Sequence, residues 1–168
     1  MTELLNERLC AEVPGKVVVF AIGMRINRWW KPWRWMPVAA EMPPMLQEQG
    51  ADPSIGLLSV RPIVGLRNIG VLQHWQSAEH LHAYARAGTH MAAWRRFNER
   101  IGTSGDVGIW HETYVVPAGH SESVYVNMPR YGLGVAGALF PAKGNRASAR
   151  KRLAGAGRSS TPPGDGVE

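Results

Sequence analysis

The apolar positions fall into short strands and amphipathic helices. Lys16–Gly23 is rich in Val, Ile and Phe on both alternating faces, as a central strand should be. Gly56–Val64 and Asn68–Gln76 are two further strand-like runs, and Gly65-Leu66-Arg67 between them predicts a hairpin. Val107–Val116 and Ser121–Val126 complete the strands, with a turn at Pro117–Gly119. Helical spacing occurs twice. Pro37 can open a helix running to about Gln49, with Gly50 as its stop and Pro43-Pro44 kinking or restarting it. Ser77 can cap a helix over Ala78–Arg86, and after Gly88-Thr89 a second piece over His90–Ile101 puts His90, Trp94, Phe97 and Ile101 on one face. Met1–Gly15 reads as a short frayed helix ended by Pro14-Gly15.

The resulting order, β-α-β-β-α-β plus an extra strand, predicts an α+β fold of the ferredoxin-like kind, an antiparallel sheet with helices on one side. The bare sheet face calls for cover, which a second copy in a two-fold homodimer would give. The 168 residues then divide into an N-terminal extension (1–15), the α+β domain (16–140) and a tail (141–168). The apolar, Gly- and Pro-rich segment Met128–Phe140 is expected to pack across the domain. Its Gly132-Leu-Gly134-Val-Ala-Gly137 matches a dinucleotide fingerprint in letters only, because it follows the last strand and lacks a βαβ unit and an acidic partner.

Charge changes the picture mainly at the end of the chain. The formal net charge is +6, and from Pro141 onward six Lys/Arg face only two acidic residues. With little to bury, that tail should be disordered, and its Arg150-Lys151-Arg152 run is read as solvated, not as a specific nucleic-acid site. Cys10 is the only cysteine, so no intramolecular disulfide is available. Val17–Met24 is too short to span a bilayer and no signal-like segment precedes it, so a cytoplasmic setting is expected.

Candidate chemistry centres on two histidines. Along the strand Gly108–Tyr114, side chains alternate, so Ile109, His111 and Thr113 share one face while Trp110, Glu112 and Tyr114 share the other. His111 is placed in a cavity between sheet and helices, with Glu112 behind it and paired with Arg25. A hydrogen-bonded structural histidine is the equal alternative. His90 heads the apolar helical stripe, where an imidazole suits a metal centre or a pocket cap. No His-Glu-x-x-His, carboxylate cluster or cysteine cluster supports a zinc site. Trp75 and Trp94 are expected to wall the cavity, Tyr114 to join them, and Asn27 or Arg25 to orient a polar end. The segment Arg25–Trp35 interleaves four cations with four tryptophans, and is expected to be an amphipathic pocket wall or a dimer contact.

Three stretches carry a resemblance: Val19–Lys31, Ala93–Asn98 and Gly105–Tyr114. They resemble a bacterial and fungal family of small monooxygenase-like proteins, typified by the polyene-cleaving oxygenase of fumagillin biosynthesis. The resemblance covers roughly Val17 to Phe140. It implies the dimeric α+β barrel fold and a monooxygenase-type oxidoreductase acting on a small hydrophobic molecule. Trp110-His111-Glu112, Tyr125 and Met128–Gly132 also resemble the C-terminal part of haem-containing aldoxime dehydratases. That second resemblance implies His90 as axial ligand of haem iron and His111 as acid/base; a haem propionate would suit the arginines of Arg25–Trp35, which makes Arg25 the candidate cofactor contact. Without haem, the same residues would serve a cofactor-independent oxygenation. A haem lyase and a non-catalytic carrier of haem or another small ligand are the alternatives.

Overall fold

The apolar run that opens at Val17 forms a central strand of a four-stranded antiparallel sheet. The computed structural model describes residues 3–86 and 88–155. The strands are β1 (Leu5–Glu12), β2 (Val17–Ile26), β3 (Leu57–Val64), β4 (Asn68–Trp75), β5 (Val107–Val116), β6 (Tyr125–Met128) and β7 (Ala138–Pro141). The helices are α1 (Pro32–Ala39), α2 (Met42–Ala51), α3 (Ala78–Ala85), α4 (Gly88–Arg100), α5 (Leu133–Ala136) and α6 (Ala149–Gly155). Two compact units result among the described residues, one of residues 16–116 and one assembled from the residues that precede and follow it.

The 16–116 unit has the sheet order β3-β4-β2-β5, every neighbouring pair antiparallel. Its chain order, β2-α1/α2-β3-β4-α3/α4-β5, is the expected ferredoxin-like α+β arrangement. Register explains which residues meet the helices. Val18 pairs with Trp75, and Met24 with both Ile69 and Ile109, so alternate positions of β2 project to one face together with their partners. Val18 and Trp75 pack with Leu81 and Tyr84 in one buried cluster; Met24, Ile26, Ile101 and Val107 form another. Burial of such side chains is worth about 1.5–3 kcal/mol each. The polar groups within this core are satisfied in series. Trp75 Nε1 donates to Gln73 Oε1 (3.0 Å), and Gln73 Nε2 donates to Gln49 Oε1 (2.9 Å). On the opposite face His74 is buried and hydrogen-bonded to Ser59 (2.8 Å). Burial, helped by the Arg61 charge, pushes its imidazole pKa down.

Local signals that the sequence displays are used as read. Ser77 caps α3 through the His80 N–H, and the β3–β4 hairpin turns at Gly65–Arg67. Other elements differ from expectation. Helix α1 starts at Pro32, not Pro37, so Pro37 lies inside it; the preceding tryptophan segment enters the helix, and the chain restarts at Met42 with Pro43-Pro44 in the first turn of α2. A proline is tolerated at a helix start, where its missing N–H has no intrahelical partner to lose.

The second unit corrects two readings. Residues 5–12 form strand β1, not a frayed helix, because β1 lies between β6 and β7 in a three-stranded antiparallel sheet. Pairing with distant partners overrides the weak local helical preference. The beginning of the tail is also ordered. After a 3-10 turn at Gly144–Arg146 comes α6, and the Arg152 guanidinium is buried against Glu122 (2.6 Å) instead of solvated. Arg146 pairs with Glu12 and stacks over Phe140 at 4.4 Å. Residues 156–168 lie outside the described residues.

Gly23 and Gly70 face each other in the β2–β4 pair. A Cβ on Gly70 would press into the Ile22 carbonyl oxygen and Gly23 Cα. Gly70→Ala therefore forces the central strands apart and should cost about 1–3 kcal/mol in urea unfolding; an unchanged midpoint would contradict this packing.

Candidate active site

A cavity of about 290 Å³ opens between the helix-covered face of the 16–116 sheet and helices α1, α2 and α4. Its floor is Ile22, Met24, Ile69, Val71 and Ile109. Its walls are Val38 and Ala39 of α1, Met42, Met45 and Leu46 of α2, and Ala93, Trp94 and Phe97 of α4. Helical spacing explains the walls: Ala93 and Phe97 are one turn apart, as are Met42 and Leu46. Trp94 is half exposed and stacks on Phe97, ring centroids 5.6 Å apart.

Apart from the indole N–H of Trp94, the side chains that bring polar or charged groups to this lining among the described residues are His90, Glu41, Arg96 and Arg100. Arg96 reaches from α4 to Glu41 at the α1–α2 corner in a two-pronged ion pair (Nε–Oε1 2.7 Å, Nη2–Oε2 2.6 Å). The Arg96 hydrogen bond holds the Glu41 carboxyl below its usual pKa, against burial, with Arg100 adding to the effect. His90 is different. Its Nδ1 is buried and has no hydrogen-bond partner among the described residues, and its ring lies edge-on to Tyr84 at 6.2 Å. Tyr84 itself donates toward Glu48 (3.3 Å) and the Met45 carbonyl (3.4 Å), and burial first, then Glu48, raises its pKa to about 12. Tyr84 therefore stays protonated, and His90 is the imidazole in the cavity lining, although its Nδ1 is itself closed off from the chamber.

The α1 wall is held by a single acidic side chain. Asp106, at the start of β5, is buried, and its carboxylate receives Arg28 (2.8 Å), Lys31 (3.2 Å) and Arg34 (3.1 Å). The Asp106 carbonyl also accepts the N–H groups of Asn27 (3.1 Å) and Arg28 (3.2 Å). Gly105 supplies the left-handed turn just before it (φ 72°) and accepts from Asn27 Nδ2 (3.2 Å). Burial pushes the Asp106 pKa up, but the hydrogen bonds from Lys31, Arg28 and Arg34 outweigh it and hold it below the usual carboxylate value. The clamp fixes the connection from β2 to α1, and so turns Trp35, Val38 and Ala39 inward against the second core cluster.

The sequence-predicted residues separate on this frame. His90 and Trp94 line the cavity. His111 reaches the same sheet face, opposite Ile22, but sits exposed on edge strand β5, 5.7 Å from the Phe20 ring, and is not among the cavity-lining residues. Glu112 lies behind the sheet face as alternation requires, but its partner is Tyr114 Oη (2.6 Å), not Arg25. Arg25 stands opposite Gly108 and Glu112 opposite Ala21, four residues or ~13 Å further along the strand, out of reach. Arg25 and Tyr114 are exposed on the side away from the helices, Asn27 is used in the loop anchor, and Trp75 is sealed in the other core cluster.

The geometry can now be set beside known proteins. The sequence profile of the monooxygenase af470-like family matches residues 17–133, which contain the whole cavity. The chain belongs to that family. It is 26% identical over 155 residues to monooxygenase af470 of Aspergillus fumigatus, covering 76% of this chain and 53% of the relative. The chain thus spans about half the length of that curated relative. Among solved structures, the aldoxime dehydratase OxdRE in complex with butyraldoxime is similar in fold (TM-score 0.63, 17% identity, 82% of this chain and 43% of that chain). A second aldoxime dehydratase gives a TM-score of 0.60 at 16% identity, over 84% of this chain and 45% of that one.

Sequence reasoning missed the Asp106 clamp and the Glu41–Arg96 pair in this family member. The spacing of Arg28, Lys31 and Arg34, three residues apart, was a usable signal that the cations share a face. Nothing local linked Glu41 to Arg96.

The clamp makes a pH-dependent prediction. A carboxylate with a depressed folded pKa stabilises the fold above the ordinary Asp value of about 3.9 and loses that contribution as pH falls through the lower, folded value. Asp106→Asn should lower Tm at neutral pH and flatten the acid side of the Tm–pH curve. Identical curves for the two proteins would refute the role.

Proposed function

We propose that the family member acts as a monooxygenase-type oxidoreductase on a small hydrophobic molecule held in the cavity. The observation that carries this reading is an almost wholly apolar chamber with one imidazole, His90, in its lining. Apolar walls recognise a hydrocarbon skeleton at about 0.8 kcal/mol per buried methylene and exclude water from the reacting carbon. Family membership supports oxygen chemistry; the fold likeness to aldoxime dehydratases supports only the scaffold.

His90 carries the proton work. A neutral imidazole accepts a proton from an acidified C–H or O–H of an electron-rich substrate, leaving a carbanion or phenolate that reduces oxygen. The balanced outcome for a methylene substrate is CH₂ plus O₂ giving C=O plus H₂O, with the substrate as the only reductant. Trp94 and Phe97 hold the skeleton, and Arg100 favours a partial negative charge near the rim. His111, exposed and outside the cavity lining, takes no step in this reading.

Haem is the cofactor the reading allows, and the residues fit it in donor chemistry. The cavity lining brings one imidazole, a side chain able to ligate haem iron, among apolar side chains. His90 would hold the iron through a ring nitrogen, the apolar walls would contact the macrocycle, and Arg100 would meet an acidic substituent. Bound haem would supply a redox-active iron for oxygen activation. Pairing of the chain with a second copy belongs to the same proposal, read by light scattering. Among the described residues no helix is long and apolar enough to cross a membrane.

The test combines a spectrum with oxygen uptake. Haemin added to the protein should give a Soret band that His90→Ala abolishes; no band in the unsubstituted protein would remove haem from the proposal. With electron-rich polyenes and polycyclic phenols, oxygen consumption should accompany oxygenated product. Val38→Phe, which fills the chamber from α1, should lower kcat/KM by about tenfold or more. Conversion of an aldoxime to a nitrile without oxygen would replace the oxygenase by a lyase. Tight ligand binding without turnover across both substrate panels would replace it by a carrier.

A further inference from the structure

The tryptophan-rich segment divides its side chains in an unusual way. Trp35 turns inward and donates Nε1 to the Trp29 carbonyl at 3.1 Å. Trp29, Trp30, Trp33 and Met36 turn outward and are 63%, 59%, 67% and 56% exposed. Trp33 and Met36 are three residues apart in α1 and share one side of it, while Trp29 and Trp30 lie exposed in the turn just before the helix. Large contiguous apolar surface of this kind marks an interaction site.

Its electrostatic surroundings narrow the partner. Arg25–Met36 contains four cations and no acidic residue. Arg28, Lys31 and Arg34 converge on the single Asp106 carboxylate, which leaves two positive charges in excess beside the tryptophans; Arg25 points to the other side of the sheet and is not part of the patch. The patch is therefore a group of tryptophans on a net-positive base. Indole rings, with an apolar body and one N–H, favour the headgroup level of a bilayer, and cations beneath them favour anionic lipid.

We propose that this face docks the protein onto an anionic lipid membrane. A two-fold contact of the face with itself would oppose two identical positive clusters, which disfavours a second copy. A single-stranded nucleic acid needs cations that track a backbone beside stacking rings; here Arg28, Lys31 and Arg34 are gathered inward on Asp106 instead. The proposal is independent of the cavity chemistry, although α1 serves both: its inner side carries Val38 of the cavity wall, its outer side Trp33 and Met36.

The experiment is co-sedimentation of the full chain with vesicles of equimolar phosphatidylcholine and phosphatidylglycerol, with pure phosphatidylcholine as control. Binding should require the anionic lipid and weaken with salt. The triple variant Trp29→Ala, Trp30→Ala, Trp33→Ala should keep its circular dichroism and lose partitioning by about tenfold or more. Trp33→Phe alone should retain most of it. Vesicle binding that is absent, or that survives the triple variant, overturns the proposal. So does a triple variant whose main effect is to convert a dimer to a monomer, or to abolish binding of a single-stranded oligonucleotide.

Discussion

One buried carboxylate organises the surroundings of the cavity. Asp106 sits where β5 begins, and three cations from the β2–α1 connection close on it. A buried charge is costly unless paired and hydrogen-bonded, so this carboxylate and its cations fold as a unit or not at all. The same unit decides where α1 begins and which of its faces is inward. The inner face becomes a wall of the chamber; the outer face carries the exposed tryptophans.

The chamber beneath is simple in chemistry. Its floor is the alternating apolar row of the central strands, and its walls are one-turn repeats on α2 and α4. Such a lining binds by shape and burial, with little capacity to fix a polar substrate. Against that background an imidazole nitrogen without a partner among the described residues stands out, because buried polar groups are almost always satisfied.

Much of this was legible in the sequence. Alternation gave the strand faces of β5, and helical spacing put His90, Trp94 and Phe97 on one stripe, because both periodicities are set by backbone geometry. Hairpin and cap residues declared themselves locally. Long-range pairing was not legible: β1 owes its conformation to β6 and β7, more than a hundred residues away in sequence. Lateral position in the sheet was equally hidden. Alternation put His111 on the helix-facing side, but only the strand order shows that β5 is an edge, which leaves that histidine exposed and outside the cavity lining. Trp75 and Trp94 looked alike as pocket walls, yet one is sealed in a core and the other borders the chamber.

The most direct test of the central claim, that Asp106 holds the cavity wall, is amide hydrogen exchange in Asp106→Asn. Protection in Trp33–Ala39 should fall sharply while β2 and β4 keep theirs, since a released α1 opens without unfolding the sheet. Unchanged protection of α1, or a uniform loss across the whole sheet, would contradict the account.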